Sequence, residues 1–257
     1  MPLKTTTRKI ALITGASRGL GKNAALHLAA QGVDIIGTYH SAADEAQSVV
    51  EQIEAQGGRA AMLQLDVSKS DTFNDFVGEI ATVLKDIFAQ DHFNFLINNA
   101  GIGAHASFAE TTEEQFDRLV AIHFKAPFFL TQKLLPLISD GGRIINISSG
   151  LARFSLPGYS AYASMKGAVE VLSRYQAKEL GPRGITVNTL APGAIATDFS
   201  GGVVRDNPDV NAMVANNTAL GRAGLPDDIG GAISILLADG SNWITGQRIE
   251  ASGGMFL

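Results

Sequence analysis

Lys9-Ile10-Ala11-Leu12-Ile13-Thr14 runs without a break into Gly15-Ala16-Ser17-Arg18-Gly19-Leu20-Gly21, and these 13 residues decide how the chain is read. A short apolar run, a glycine-punctuated turn and a segment of helical period make a strand, a tight loop and a helix N-terminus. Glycines there let the backbone come close to a pyrophosphate, and the helix start supplies free N–H groups and partial positive charge. The spacing is Gly-x-x-x-Gly-x-Gly, which differs from the commoner G-x-G-x-x-G fingerprint. A nucleoside-triphosphate loop nearly fits because Lys22 follows Gly21. It fails because Ala16 and Asn23 stand at two of its fixed positions, and the Mg²⁺-binding hydroxyl is missing. Glycines acting as turn punctuation alone are the bland alternative.

Outward from this loop the same alternation continues to the end of the chain. Strands are expected at Lys9–Thr14, Val33–Thr38, Ala60–Leu65, Phe93–Asn98, Arg143–Ser148, Ile185–Leu190 and Gln247–Ala251. Helices are expected near 19–31, 42–56, 70–89, 112–138, 159–180 and 226–238. Strands apolar on both faces and joined by helices imply a single doubly wound α/β domain with a seven-stranded, mainly parallel sheet. Thr111 with Glu114 reads as a capping box, and Pro226-Asp227-Asp228 as the opening of the last helix. Residues 198–220, with Gly201, Gly202, Pro208 and four Asn, are the least regular stretch and are expected to form a structureless substrate lid.

Composition narrows the function. A chain of 257 residues buries enough surface to fold without disulfides, and it contains no Cys. That removes thiolate metal sites and Cys nucleophiles and fits a reducing, cytoplasmic setting. The formal net charge of −5 disfavours a general nucleic-acid partner. No apolar run approaches the about 18 residues of a membrane span, and the polar start Met1–Lys9 does not read as a signal peptide.

The end of the second strand chooses the nucleotide. A carboxylate there would bond a ribose 2′-hydroxyl and repel a 2′-phosphate. Thr38-Tyr39-His40-Ser41 has none before Asp44. Arg18 can pair bidentately with phosphate, and Thr38 and Ser41 offer hydroxyls. The balance favours NADP(H), with NAD(H) still possible. Farther along, Tyr162 and Lys166 stand four residues apart on one helix face. A neighbouring ammonium is expected to lower the phenol's pKa towards acid/base range. Upstream, Ser148-Ser149 brings hydroxyls to a strand's carboxyl end, where open α/β sheets bind ligands.

Taken in order, Thr14–Gly21, Asn98-Asn99-Ala100-Gly101, Ser149, Tyr162/Lys166 and Pro192-Gly193-Ala194-Ile195-Ala196-Thr197 resemble the short-chain dehydrogenase/reductase superfamily. The resemblance covers essentially the whole chain and is greatest to 3-oxoacyl-(acyl-carrier-protein) reductases and glucose-dehydrogenase-like members. It implies a Rossmann fold and an oxidoreductase that moves a hydride between nicotinamide and a carbonyl or secondary alcohol. Tyr162 would be the acid/base, Ser149 would polarise the carbonyl, and Lys166 would lower the Tyr162 pKa and bond the ribose, with Ser148 structural. Cofactor contacts are implied at Gly15, Ser17, Arg18, Gly19, Leu20, Gly21, Thr38, Ser41, Asp66, Val67, Asn98, Ala100, Gly101, Tyr162, Lys166, Pro192, Gly193, Ile195 and Thr197.

The chain departs from the family at His123, where an Asn is usual and its main-chain carbonyl holds a water beside the lysine. His123 is read first as a packed helix residue whose backbone does that job, and second as a side chain titrating near neutrality. The remaining histidines have no partners at ligand spacing, so no metal is expected. A dinucleotide-sensing regulator on the same fold is the alternative function, but such a protein would be expected to lose Tyr162 or Lys166. Gly150, Leu151, Leu156, Tyr159, Ala194 and Phe199 are expected to line an apolar substrate pocket. Leu119, Phe124, Phe128, Leu130 and Leu134, with Val169, Val171, Leu172 and Tyr175, read as surplus apolar helix surface. With Gly253–Leu257 at a second interface, they suggest a homotetramer.

Overall fold

The computed structural model describes residues 8–257, so the polar start, Met1–Thr7, lies outside the described residues. In chain order the elements are β1 (Ile10–Ile13), α1 (Gly19–Ala30), β2 (Asp34–Tyr39), α2 (Ala43–Glu54), β3 (Ala60–Gln64), α3 (Phe73–Asp86) and β4 (Phe93–Asn98). The second half holds α4 (Glu113–Val120), α5 (Ala126–Leu134), β5 (Ile138–Ile147), α6 (Ser160–Leu180), β6 (Thr186–Pro192), α7 (Val203–Asp206), α8 (Pro208–Asn216), α9 (Pro226–Leu237) and β7 (Arg248–Ala251).

The strands form one sheet in the order β3-β2-β1-β4-β5-β6-β7, and every pairing is parallel. The inner strands β1, β2, β4 and β6 are buried on both faces, and the period of two sorts their side chains into two cores. Ala11, Ile13, Ile35, Phe95 and Ile97 face α1 and α9 on one side. Ile10, Leu12, Ile36, Leu96 and Ile144 face α3, α5 and the end of α6 on the other. The strand order reverses between β1 and β4, and a crevice opens there at the strands' carboxyl ends, as open α/β sheets require.

Three expectations need correction. The segment expected as one helix over 112–138 is broken: α4 passes through a wider, π-type turn at Ala121–Lys125 into α5. Pro127 explains the break, since it has no N–H to give the His123 carbonyl one helical turn back. The capping box is one residue later than expected. Thr112 accepts from the Gln115 N–H at 3.2 Å, and Gln115 accepts from the Thr112 N–H at 3.3 Å. Residues 198–220 are not structureless, because α7 and α8 fold within them. Asn207 caps α8, its Oδ1 accepting from the Asp209 and Val210 N–H groups, and Pro208 fits the first helical position.

Candidate active site

The glycine loop is built by backbone geometry. Gly15 and Gly19 adopt φ of +67° and +55°, a region costly for other residues. A Cβ on Gly21 would lie 2.1 Å from the Gly15 carbonyl oxygen, so only glycine lets α1 start this close to the turn. No side chain caps α1, which leaves its first-turn N–H groups facing the crevice. Asn99 staples the loop from the far side, its Nδ2 donating to the carbonyls of Thr14 at 2.9 Å and Gly15 at 3.0 Å. Thr14 Oγ1 accepts from the Asn99 and Ala100 N–H groups in turn. The sequence reading singled out Asn98 and missed Asn99's role. Asn98 steadies the sheet, as its motif implies, donating to Asn146 Oδ1 at 2.7 Å and Thr131 Oγ1 at 3.0 Å.

Two expected phosphate contacts are engaged elsewhere. Thr38 is buried, and its hydroxyl accepts from the Gly15 N–H at 3.1 Å, so it holds the loop rather than facing solvent. Arg18 pairs with Asp198 at 2.8 Å and would have to leave that carboxylate for a phosphate. Ser41 is exposed at the sheet edge. Beside it an open cleft of about 410 Å³ is lined by His40, Leu65, Asp66, Lys69 and Phe76. Burial pushes the Asp66 carboxyl up, but Ser68, His40 and Lys69 outweigh it and hold it below the usual range.

The residues expected to do chemistry converge at the ends of β5 and β6. Tyr162 and Lys166 are both buried on α6, and Lys166 Nζ lies 5.5 Å from the Tyr162 ring centroid while donating to the Ile147 carbonyl at 2.8 Å. Ser149 stands beside Tyr162, and its Oγ accepts from the Leu151 N–H at 3.2 Å. The expected depression of the Tyr162 pKa is not found in this geometry. Burial raises it well above its ordinary value, and the neighbouring Ser149 hydroxyl only partly offsets this. Spacing along a helix guarantees nearness to the ammonium but says nothing about desolvation. Burial acts on the lysine in the opposite sense and lowers it to about 8.

His123 lies in the π-type turn, its ring edge-on to Tyr162 with centroids 5.2 Å apart. Its Nε2 is 2.8 Å from the Ile102 carbonyl and 3.3 Å from the Ile102 N–H. Burial and the nearby Lys166 charge hold its pKa well below 6.5, so titration near neutrality is corrected. A cavity of about 20 Å³, enough for one water, is lined by Thr14, Asn98, His123, Pro127 and Lys166.

The remaining motif residues frame this centre. Gly193 lies against Ser252, where a Cβ would meet its Cα at 2.8 Å. Thr197 is buried and caps the next turn, accepting from the Phe199 N–H at 3.2 Å. Ile195 bridges to Gly224. Val67 and Ala100 line the small cavity, and Gly101 packs on His123. Residues 154–162 supply one ring to each of three aromatic pairs. Phe199 stands 6.3 Å from Tyr162, Tyr159 meets His105 at 5.0 Å, and Phe154 meets Phe256 at 4.7 Å.

Comparisons with known proteins agree with this geometry. The family described as enoyl-(acyl carrier protein) reductase matches residues 15–256. The structure of the angucycline C-6 ketoreductase LanV with bound NADP is 36% identical with a TM-score of 0.92, over 96% of this chain and 95% of that one. The 3-oxoacyl-[acyl-carrier-protein] reductase FabG of Staphylococcus epidermidis is 34% identical over 97% of this chain and 99% of its own length. The hydroxynaphthalene reductase-like protein Arp2 of Metarhizium brunneum is 34% identical over 96% of this chain and 94% of its own.

Proposed function

The chain belongs to the short-chain dehydrogenase/reductase family of oxidoreductases, and we propose that it is an NADP(H)-dependent ketoreductase for flat, apolar ketones carried on aromatic rings. One observation carries the reading: a buried Tyr162 phenol stands beside Ser149 and Lys166, with the Phe199 ring 6.3 Å away. Aromatic faces and edges suit planar rings. The bound NADP of the LanV structure and the naphthalene chemistry in the Arp2 name point the same way. A panel of carbonyls assayed for NADPH oxidation tests it. Bicyclic aromatic ketones should be the better substrates, and a preference for acyl thioesters would instead place the chain with the FabG relatives.

When bound, the cofactor supplies the hydride in reduction and accepts it in oxidation. The chain does the rest. Uncapped N–H groups of α1 would receive the pyrophosphate, with the close-packed glycines leaving room for it. The raised pKa keeps Tyr162 protonated at working pH, so its proton is ready for an oxygen that becomes an alkoxide. Ser149, beside Tyr162, donates to the same oxygen. Lys166, held by the Ile147 carbonyl, stabilises negative charge as Tyr162 gives up its proton.

Cofactor choice turns on Arg18. Arg18→Ala should weaken NADPH binding about tenfold, a loss of about 1.4 kcal/mol, and leave NADH binding nearly unchanged. Thr38→Asp keeps an acceptor for the Gly15 N–H while adding like charge near a 2′-phosphate, and should turn preference towards NADH. Wild-type protein that binds NADH more tightly than NADPH in a titration would refute this assignment.

Assembly as a homotetramer belongs to the same proposal, with an amended interface. Leu119, Leu130, Leu134, Val169 and Leu172 are spent in the chain's own core, as is Met255 near the C-terminus. What stays exposed is Phe116, Phe128, Phe129, Val171 and Tyr175 on α4, α5 and α6, and elsewhere Ile235, Trp243 and Leu257. Two such patches on one chain suit two successive two-fold contacts. Light scattering at micromolar concentration should give about four times 27.0 kDa, and a mass of one chain would exclude both contacts. Among the described residues no helix is long and apolar enough to cross a membrane.

A further inference from the structure

Arg248 opens β7 and its guanidinium serves three acceptors at once. Nε donates to Glu170 Oε1 at 2.7 Å, one terminal nitrogen to Glu250 Oε2 at 2.7 Å, and the other to the main-chain carbonyl of Ser149 at 3.3 Å. Glu170 lies one helical turn beyond Lys166 and also accepts from Ser148 Oγ at 2.7 Å. Glu250 is shared with Arg153 at 2.8 Å and Ser252 at 2.8 Å. Arg153 continues to the carbonyls of Met255 at 2.7 Å and Phe256 at 3.0 Å. Those residues pair in turn with the end of α8, where the Phe256 N–H donates to the Asn217 carbonyl at 2.9 Å. An unbroken chain of polar contacts therefore runs from Ser149 to the C-terminal segment and the end of α8.

Proton and hydride transfer make no use of these charges, yet they are largely withdrawn from water. Side-chain exposure is 22% for Arg248, 13% for Glu170 and 18% for Glu250. Burial raises the Glu250 carboxyl, but Arg153, Arg248 and Ser252 overcome this and bring it to about 2, so Glu250 stays ionised over the working pH range. A planar guanidinium can meet three acceptors in fixed directions, which a single ammonium cannot do.

We infer that Arg248 is a positioning residue. By holding the Ser149 carbonyl against β7, it sets the serine hydroxyl towards the reacting oxygen and ties that setting to the seated C-terminal segment. The inference rests on the proposed role of Ser149 as the carbonyl-polarising group. Displacing a polarising group by about an ångström can cost up to about 100-fold in rate.

The test compares Arg248→Lys, Arg248→Met and Ser149→Ala, with kcat expressed per NADPH-binding site and melting temperature measured alongside. Arg248→Lys keeps a cation between the two carboxylates and is the variant expected to fold normally. It should lose about fivefold in kcat and Arg248→Met about tenfold or more, with NADPH Kd within about twofold of wild type. A merely structural role would lower the number of binding sites or the melting temperature and leave the rate per site unchanged. Wild-type kcat per site in folded Arg248→Lys, with Ser149→Ala inactive, overturns the inference. Wild-type activity in Ser149→Ala would overturn the reading of the site itself.

Discussion

Tyr162→Phe should abolish turnover while NADPH binds within about twofold of wild type. Phenylalanine fills the same buried space against His123 and Phe199, so packing is kept and only the hydroxyl is lost. Without it the developing alkoxide has no proton donor, and general acid catalysis is worth about 10²–10⁴-fold. Retention of more than a few per cent of kcat would remove Tyr162 from the chemistry.

Lys166→Met is expected to cost about 100-fold in kcat and to change the pH profile. The wild-type lysine carries its proton below about 8 and loses it above. The profile of kcat/KM reports groups in the free enzyme. For ketone reduction it should therefore fall as pH rises through about 8. The same site affects stability with the opposite sign. Between about 8 and the ordinary lysine value of 10.5 the unfolded chain holds a proton that the native chain has released. The native state thus gains stability with rising pH over that window. Lys166→Met should flatten both dependences, and a variant profile that still falls near 8 would assign the titration to another group.

Much of this molecule is written in local patterns. Alternating apolar runs and helical periods identify the doubly wound sheet because buried parallel strands tolerate little polarity, as at Ile10–Ile13 and Ile144–Ile147. Gly21 is legible for the same kind of reason, since backbone meets backbone there. The order of Ser149, Tyr162 and Lys166 was also readable, and the fold does bring them together. What escaped reading depends on contacts distant in sequence. The bond from Gly15 to Thr38 and the staple from Asn99 require strands that only the folded sheet makes neighbours. Desolvation of Tyr162 depends on everything packed around it, and helix spacing carries no measure of that. The pairing of Arg18 with Asp198, 180 positions apart, is of this kind too. The helix at Pro208–Asn216 is a different matter, because its Asn-Pro-Asp opening was present in the sequence and was overshadowed by the surrounding glycines.

The central claim is that this chain passes a hydride from NADPH to a ketone carbon while Tyr162 protonates the oxygen. Single-turnover reduction of a bicyclic aromatic ketone with NADPH deuterated at the transferring nicotinamide carbon tests it most directly. The account predicts one deuterium on the carbinol carbon for each cofactor oxidised, and none in the same experiment with Tyr162→Phe. Cofactor oxidation without deuterium in the product, or equal labelling by the variant, would contradict it.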